Sequence, residues 1–226
     1  MIAERNEFDR IMSGYGISIS DEEYDRFEKY TDMLIEKNKV MNLTRIVTPE
    51  DITVKHILDS LLVFRYADLP ESGRVVDVGT GAGLPGVVMK IHRPQLEMTL
   101  MDSLLKRINF LKEVSDNVIP MECVHSRAED AGRGKYREVY DAAVARAVAA
   151  FPVLCEYCIP LVKVGGVFVA MKGLNEEIDG AKAAQLGGEI VRDERYELPG
   201  GDGRRIITVR KIRPTDKKYP SRKIKS

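Results

Sequence analysis

The glycines at 79, 81 and 83, opened by the acid Asp77 and entered from the apolar stretch Arg74-Val75-Val76, are the residues in this chain best suited to chemistry. Glycine allows a sharp turn and lets the backbone approach a ligand where a Cβ would clash, and a helix start just beyond adds free N–H groups. Strand, glycine loop and helix in that order make a place to hold a nucleotide. A second apolar strand, Met98-Thr99-Leu100-Met101, ends at Asp102, 23 residues after Gly79, where a carboxylate can accept both hydroxyls of a ribose. That spacing suits a nicotinamide cofactor and S-adenosylmethionine equally well.

Such a loop needs a scaffold, and the composition bounds it. With 226 residues, 44% of them hydrophobic, the chain can bury one full domain core plus a small extension. No apolar run reaches the ~18 residues of a membrane span. The start, Met1-Ile-Ala-Glu-Arg-Asn-Glu, has no signal-peptide centre, so a cytoplasmic protein is expected. Three cysteines do not make a disulfide framework. Cys155 and Cys158 form a C-x-x-C inside a helical pattern with no second pair or nearby His, so they read as buried helix residues, and no metal is expected.

The first 70 residues read as helical. Ser20-Asp-Glu-Glu23 is a capping box, and Tyr24, Phe27, Leu34 and Ile35 behind it recur near helical spacing. A linker through Lys39-Val-Met-Asn-Leu-Thr-Arg45 follows, and Pro49 opens a further helix carrying Ile57, Leu58, Leu61, Leu62 and Phe64. From Arg74 onward strands and helices alternate, which predicts a doubly wound α/β fold with a largely parallel sheet. Strands are expected near 74–78, 97–102, 119–124, 141–145, 166–171, 189–197 and 205–212. Gly165-Gly166 is expected to reverse the chain before the fifth strand, and Pro199-Gly-Gly-Asp-Gly203 to split the last two into an antiparallel hairpin. The expected division is a helical extension over 1–70 packed on the core, a core over 71–213, and a basic tail over 214–226.

Formal net charge is zero, but residues 204–226 hold ten Lys/Arg against one acid. A charge run alone reads most simply as a solvated tail. Beside a nucleotide fold it is also drawn to phosphate and would release counterions on binding nucleic acid.

Several motifs narrow the fold to a family. Asp77-Val-Gly-Thr-Gly-Ala-Gly resembles the first motif of class I S-adenosylmethionine-dependent methyltransferases, a Rossmann-like fold with a seven-stranded sheet and a terminal antiparallel hairpin. Asn42-Leu-Thr44, His56-x-x-Asp59-Ser60, Leu84-Pro85-Gly86, Asp102-Ser103 with Lys106-Arg107 and Phe110-Leu111, Arg127-Ala-Glu129, Ala145-Arg146-Ala147 and Lys172-Gly173 follow in the order seen in one family. Over roughly residues 15–215 the chain resembles the bacterial 16S ribosomal RNA guanine-N7 methyltransferases, the RsmG or GidB (glucose-inhibited division protein B) family. The resemblance implies an enzyme that moves a methyl group from S-adenosylmethionine to N7 of a guanine in the decoding-region loop of 16S ribosomal RNA. It implies S-adenosylhomocysteine as product, and the small ribosomal subunit or an assembly intermediate as partner, with no membrane partner.

Carried onto this sequence, the resemblance implies cofactor contacts at Asp77, Gly79, Gly81, Gly83 and Leu84, with Gly79 and Leu84 lining the methionine side and Asp77 supporting it. Asp102 would hold the ribose, Ala128 and Glu129 the adenine edge, and Arg146 the side facing the acceptor, where it positions the base. RNA contacts are expected at His56, Lys172, Arg204, Arg205, Lys217, Lys218, Arg222 and Lys223. Plainer readings stand beside these: Leu84 as core, Glu129 as a surface acid, Arg146 as partner of a structural carboxylate, and His56 as a helix residue bonded to Asp59. Guanine N7 carries a lone pair and no proton, so the reaction requires no general base. The stretch Ala145-Arg-Ala-Val-Ala149 lacks the Asp/Asn-Pro-Pro-aromatic motif of exocyclic-amine methylation and a Pro-Cys nucleophile. The competing functions are a small-molecule methyltransferase, a noncatalytic RNA-binding module and, last, a nicotinamide dehydrogenase.

Overall fold

Strands that alternate their side chains between two covered faces must be apolar on both, and this dictates the architecture. In the computed structural model, which describes residues 2–146 and 148–221, seven strands form one sheet: β1 Gly73–Val78, β2 Leu96–Asp102, β3 Glu122–His125, β4 Tyr140–Arg146, β5 Val162–Gly173, β6 Gly188–Glu197 and β7 Gly203–Lys211. Their order is β3-β2-β1-β4-β5-β7-β6. Every pairing is parallel except those of β7, which runs antiparallel to both β5 and β6. Chain direction across the sheet reverses between β1 and β4, the crevice where such folds bind ligands.

The two-residue period sorts the core. Val75, Ala142, Val144, Val167 and Val169 point into one apolar cluster, whereas Val76, Ala143, Ala145, Phe168 and Ala170 point into the other. The first cluster is closed by the N-terminal helices Arg5–Gly14 and Asp21–Met41, which contribute Phe8, Phe27, Tyr30 and Leu34, and by the helices Gly86–His92 and Leu105–Asn117. The second is closed by Ala128–Arg133, Phe151–Cys158 and Ala181–Gln185. The N-terminal helices are therefore continuous with the first core cluster. Its capping box forms in full, with Ser20 and Glu23 each satisfying the other's backbone N–H. The hydroxyl of Tyr30, fully buried, donates to Ala82 O at 2.9 Å and ties this layer to the glycine loop.

Three expectations need correction. β3 starts at Glu122 rather than 119, because Pro120 has no N–H to give the ladder. Gly165 and Gly166 do not reverse the chain: β5 runs continuously from Val162, and the glycines absorb a bulge opposite Tyr140–Ala142. Gly165 has φ +88°, and a Cβ on Gly166 would meet Asp141 O at 2.5 Å.

The third concerns residues 214–226. Thr215 and Pro220 are buried, and Arg137 donates to Thr215 O and Tyr219 O at 2.5 and 2.8 Å. Arg133 donates to Pro220 O at 3.1 Å, while Ser221 N donates to Glu156 Oε2 at 2.9 Å. Residues 214–221 are thus an edge of the core rather than a tail.

A chain ended at Arg213 should therefore lose several net hydrogen bonds, each contributing about 1 kcal/mol, and unfold at least about 3 kcal/mol more easily. Urea denaturation against the full chain measures this, and unchanged stability would contradict the packing described.

Candidate functional site

The glycine loop is braced from both sides by carboxylates. Asp77, wholly buried at the end of β1, accepts from Thr80 Oγ1 at 2.7 Å and from Gly86 N at 2.9 Å through the same oxygen, Oδ2. Its other oxygen, Oδ1, has no hydrogen-bond partner. Burial dominates and pushes the Asp77 carboxyl up to about 6, against the lowering effect of those two bonds. Asp102, at the end of β2, accepts from Leu104 N at 2.9 Å on Oδ1, and from Gly81 N at 3.0 Å and Arg107 Nη1 at 3.2 Å on Oδ2. Gly79 N and Thr80 N both donate to Met101 O, at 2.8 and 3.1 Å. The amides of Gly79, Thr80 and Gly81 are thus spent fastening the loop to β2.

Beyond that loop lies a cavity of about 370 Å³, within the range that holds small cofactors. Gly79, Asp102, Ala128 and Glu129 line it, together with Arg107 and Tyr157. Gly79 adopts φ +70°, and a Cβ there would meet Val148 Cγ2 at 2.8 Å, so both conformation and space require glycine. Four of the expected cofactor residues are thereby brought together. Of the others, Gly81 sits in the loop with its N–H on Asp102, Arg146 lies outside this cavity, and three lie underneath. A Cβ on Gly83 would meet Val87 and Leu111, Leu84 is 6% exposed in the first core cluster, and Asp77 sits below the loop. Their observed contacts shape the loop.

A second cavity, of about 480 Å³, opens beside the ends of β4 and β5, with Lys55, His56, Asp59, Arg146, Lys172 and Arg204 in its wall. Arg146, at the end of β4, lines this cavity, whereas Val148 lines the first. Arg146 Nη1 donates to Lys55 O at 3.0 Å and to Asp59 Oδ2 at 3.2 Å. Asp59, 3% exposed, also accepts from the hydroxyl of Tyr196 at 3.0 Å on Oδ1, with Arg204 Nε 3.7 Å from that oxygen. Burial together with the Asp59 charge raises the Tyr196 hydroxyl well above its usual range, keeping it a donor.

His56 does not bond to Asp59. It lies in a π-helical stretch, Ile52–Leu58, and its Nε2 sits 2.9 Å from Thr44 Oγ1. The wider π turn accommodates an extra residue within the helix. Burial, helped by the Arg146 charge, lowers the His56 ring to about 4, so it is neutral at physiological pH.

Two cations expected on RNA prove to be buried and paired. Lys172 is 8% exposed, donates to Ala149 O at 2.5 Å and meets Glu176 Oε2 at 2.6 Å. Glu176 Oε1 in turn accepts from Phe151 N at 2.8 Å, so this ion pair staples the segment after β4. Arg205, also 8% exposed, grips Asp193 through Nε and Nη2 at 2.6 and 2.5 Å. Neither offers a free charge to phosphate. Arg204 lines the second cavity, whereas Lys217 and Lys218 are exposed on the docked C-terminal segment. Arg222 and Lys223 lie outside the described residues. Sequence reasoning did not single out Lys55, Val148 or Tyr157 for the site. Lys55 precedes His56 directly and sits four residues before Asp59, which was the available signal; the other two had none.

The geometry agrees with comparison to known proteins. The structure resembles a SAM-dependent methyltransferase from Aquifex aeolicus, with TM-score 0.53 and 14% identity over 77% of this chain and 97% of that one. A 16S rRNA adenine methyltransferase from Catenulisporales acidiphilia matches with TM-score 0.51 and 14% identity over 70% and 92%. At that identity the likeness shows the class I fold. A relative called ribosomal RNA small subunit methyltransferase G in Alkaliphilus oremlandii is 48% identical over 92% of this chain and 90% of its own length. Those of the same name in Acetivibrio thermocellus and Halalkalibacterium halodurans are 46% and 44% identical over 92% and 96% of this chain. The GidB family model matches residues 23–189, and by this match and those relatives the chain belongs to the rRNA small subunit methyltransferase G family.

Proposed function

We propose that this enzyme methylates N7 of a guanine in the decoding-region loop of 16S ribosomal RNA, at the cavity walled by Arg146. By family it is an rRNA methyltransferase, and S-adenosylmethionine is its methyl donor. The observation that carries the reading is that Arg146 and Val148, two residues apart in the chain, line two different cavities.

The first cavity fits the donor. Asp102 at the strand end suits a ribose diol, Ala128 and Glu129 suit an adenine edge, and Gly79 leaves space a Cβ would take. When bound, S-adenosylmethionine supplies a methyl group made electrophilic by its sulfonium charge. In the second cavity, the guanine lone pair at N7 needs no deprotonation, and neutral His56 agrees with a site that works by position and field. Arg146 is fixed by Asp59 and the Lys55 carbonyl, which orients its guanidinium before the base arrives. Its role is to hold O6, phosphate or the cofactor and to leave N7 free.

Ribosomal RNA is the substrate class; the particle as acceptor belongs to this proposal, as does work in the cytoplasm where ribosomes assemble. Among the described residues no helix is long and apolar enough to cross a membrane.

Mass spectrometry of nucleosides tests the reaction directly. Unmodified small subunits, or their naked RNA, incubated with the protein and methyl-labelled S-adenosylmethionine should yield labelled 7-methylguanosine. No labelled nucleoside from either, with cofactor binding confirmed by calorimetry, would remove the reading.

Arg146→Ala should do two separable things. It should lower turnover about 100-fold or more, and it should destabilise the fold by about 3 kcal/mol by leaving Asp59 a buried, under-compensated charge. Adding Asp59→Asn should restore most of the stability and little of the turnover. Restored activity in the double variant would mean that Arg146 serves only the fold.

Asp77 gives a pH test. Its folded pKa is raised from 3.8 to about 6, so its contribution to stability is present below pH 4 and is lost as pH rises through 6. His56 runs the other way: depressed from 6.5 to about 4, it contributes above pH 6.5 and loses this as pH falls. Asp77→Asn should remove the first effect alone, making the variant about 1–3 kcal/mol more stable than wild type at pH 8 while binding S-adenosylmethionine more weakly. Urea titrations at pH 5 and 8 and calorimetry at pH 8 read both.

A further inference from the structure

Four cations stand in the wall of the acceptor-side cavity, and two of them share one loosely held anion. Arg146 is held by Asp59 and a backbone carbonyl, and Lys172 by Glu176 and Ala149 O. Lys55 and Arg204 differ. One carboxylate oxygen, Asp202 Oδ2, stands between them, 3.5 Å from Lys55 Nζ and 3.7 Å from Arg204 Nη2. Both distances exceed a good hydrogen bond. The three side chains are 32%, 27% and 45% exposed, and ion pairs this wet contribute only about 0–1 kcal/mol.

The cations themselves are anchored elsewhere. Lys55 Nζ meets Asp51 Oδ1 at 2.9 Å, and Arg204 donates through Nη1 to Gly203 O at 3.1 Å. Asp202, by contrast, sits in the turn between β6 and β7 after Gly200 and Gly201, whose φ values are +94° and +86°. A Cβ on either glycine would meet nothing within 4 Å, so that side of the turn is unpacked. The cations are held by other groups, while Asp202 meets them only at these longer distances.

We propose that Lys55 and Arg204 form a clamp for one RNA phosphodiester at the mouth of this cavity, and that Asp202 fills it until the RNA displaces its carboxylate. The inference rests on the acceptor reading above and adds the contact that holds the backbone of the target strand. A phosphate oxygen reaching the position of Asp202 Oδ2 gains two charge-assisted hydrogen bonds at closer range, and releases counterions as it does so. The carboxylate is a built-in competitor, one that keeps the clamp from gripping weakly bound anions and so favours a substrate that also fills the cavity.

The test is binding of unmodified 16S ribosomal RNA by filter retention across a range of KCl, with each variant's melting temperature recorded. Asp202→Asn should bind at least about threefold more tightly at ~0.1 M KCl, as expected for removing one competing charge, and Asp202→Ser should show the same gain. Lys55→Gln with Arg204→Gln should weaken binding and reduce the slope of log K against log salt by about 0.7, the share of one phosphate on a single strand. Binding by Asp202→Asn and Asp202→Ser no tighter than wild type would overturn the proposal, as would an unchanged slope in the double variant. Inorganic phosphate exchanged for chloride at constant ionic strength should have little effect. If it releases RNA as fully as the double substitution does, the clamp is a free-anion site and the proposal falls. Labelled 7-methylguanosine from the same wild-type preparation is scored separately: its absence, with these binding shifts present, would remove the base assignment and leave the clamp standing.

Discussion

A buried carboxylate, Asp59, is the point on which the acceptor side of this protein turns. Its two oxygens gather Arg146 from the end of β4, Tyr196 from β6 and Arg204 from β7 onto a helical run that belongs to the N-terminal layer. A carboxylate at 3% exposure is expensive to desolvate and persists only with charged and hydrogen-bonding partners in place. The cost enforces geometry: the parts of the chain that meet there must meet in one arrangement. Tyr196 is further fixed by stacking on Tyr66, with ring centroids 4.7 Å apart. The wall of the cavity is consequently fixed on that side, and a fixed wall is what positioning catalysis would require of the proposed acceptor site.

The cofactor side follows the same logic with different partners. Asp77 and Asp102 pull a glycine loop into shape from below and from the side, and the loop spends its own amides on Met101 and Asp102. Asp77 accepts a raised pKa and an unpartnered oxygen for this, a local cost of the sort that accumulates at functional sites. Lys172 and Glu176 then hold the segment after β4 from the β5 side. Each cavity is thus framed by strand ends, and each strand end is fixed by a charge.

Much of the fold was legible in the sequence because its signals are local and periodic. The glycine loop, the alternation of strand and helix, the Ser20–Glu23 cap and the closing hairpin each depend on residues close in the chain. So do the strand-end pattern that points to Gly79 and Asp102 and the family motif that adds Ala128 and Glu129, four residues that line one cavity. The failures share another cause. Lys172 and Arg205 read as surface cations because nothing near them in sequence says that Glu176, Ala149 and Asp193 will close over them. His56 was matched to the acid three residues on, whereas a π turn sends its ring to Thr44. Pairings set by tertiary contact are invisible to spacing.

The basic C-terminal stretch makes the same point about charge. Ten cations counted over 204–226 look like one feature, yet strand geometry divides the described ones into different tasks. In β7, Arg205 and Lys211 are buried, Lys211 at 1% exposure with Glu138 and two backbone carbonyls around its ammonium. Burial lowers its pKa while Glu138 opposes that shift, as expected of a cation used to satisfy carbonyls rather than to attract a ligand. Arg204 alternates to the side where the acceptor cavity lies. A count of charges therefore bounds the strength of attraction to phosphate from above only. What remains for recognition is the subset whose anionic partners are weak enough to be exchanged, and at this cavity that subset is defined by distance and exposure, which the sequence does not carry.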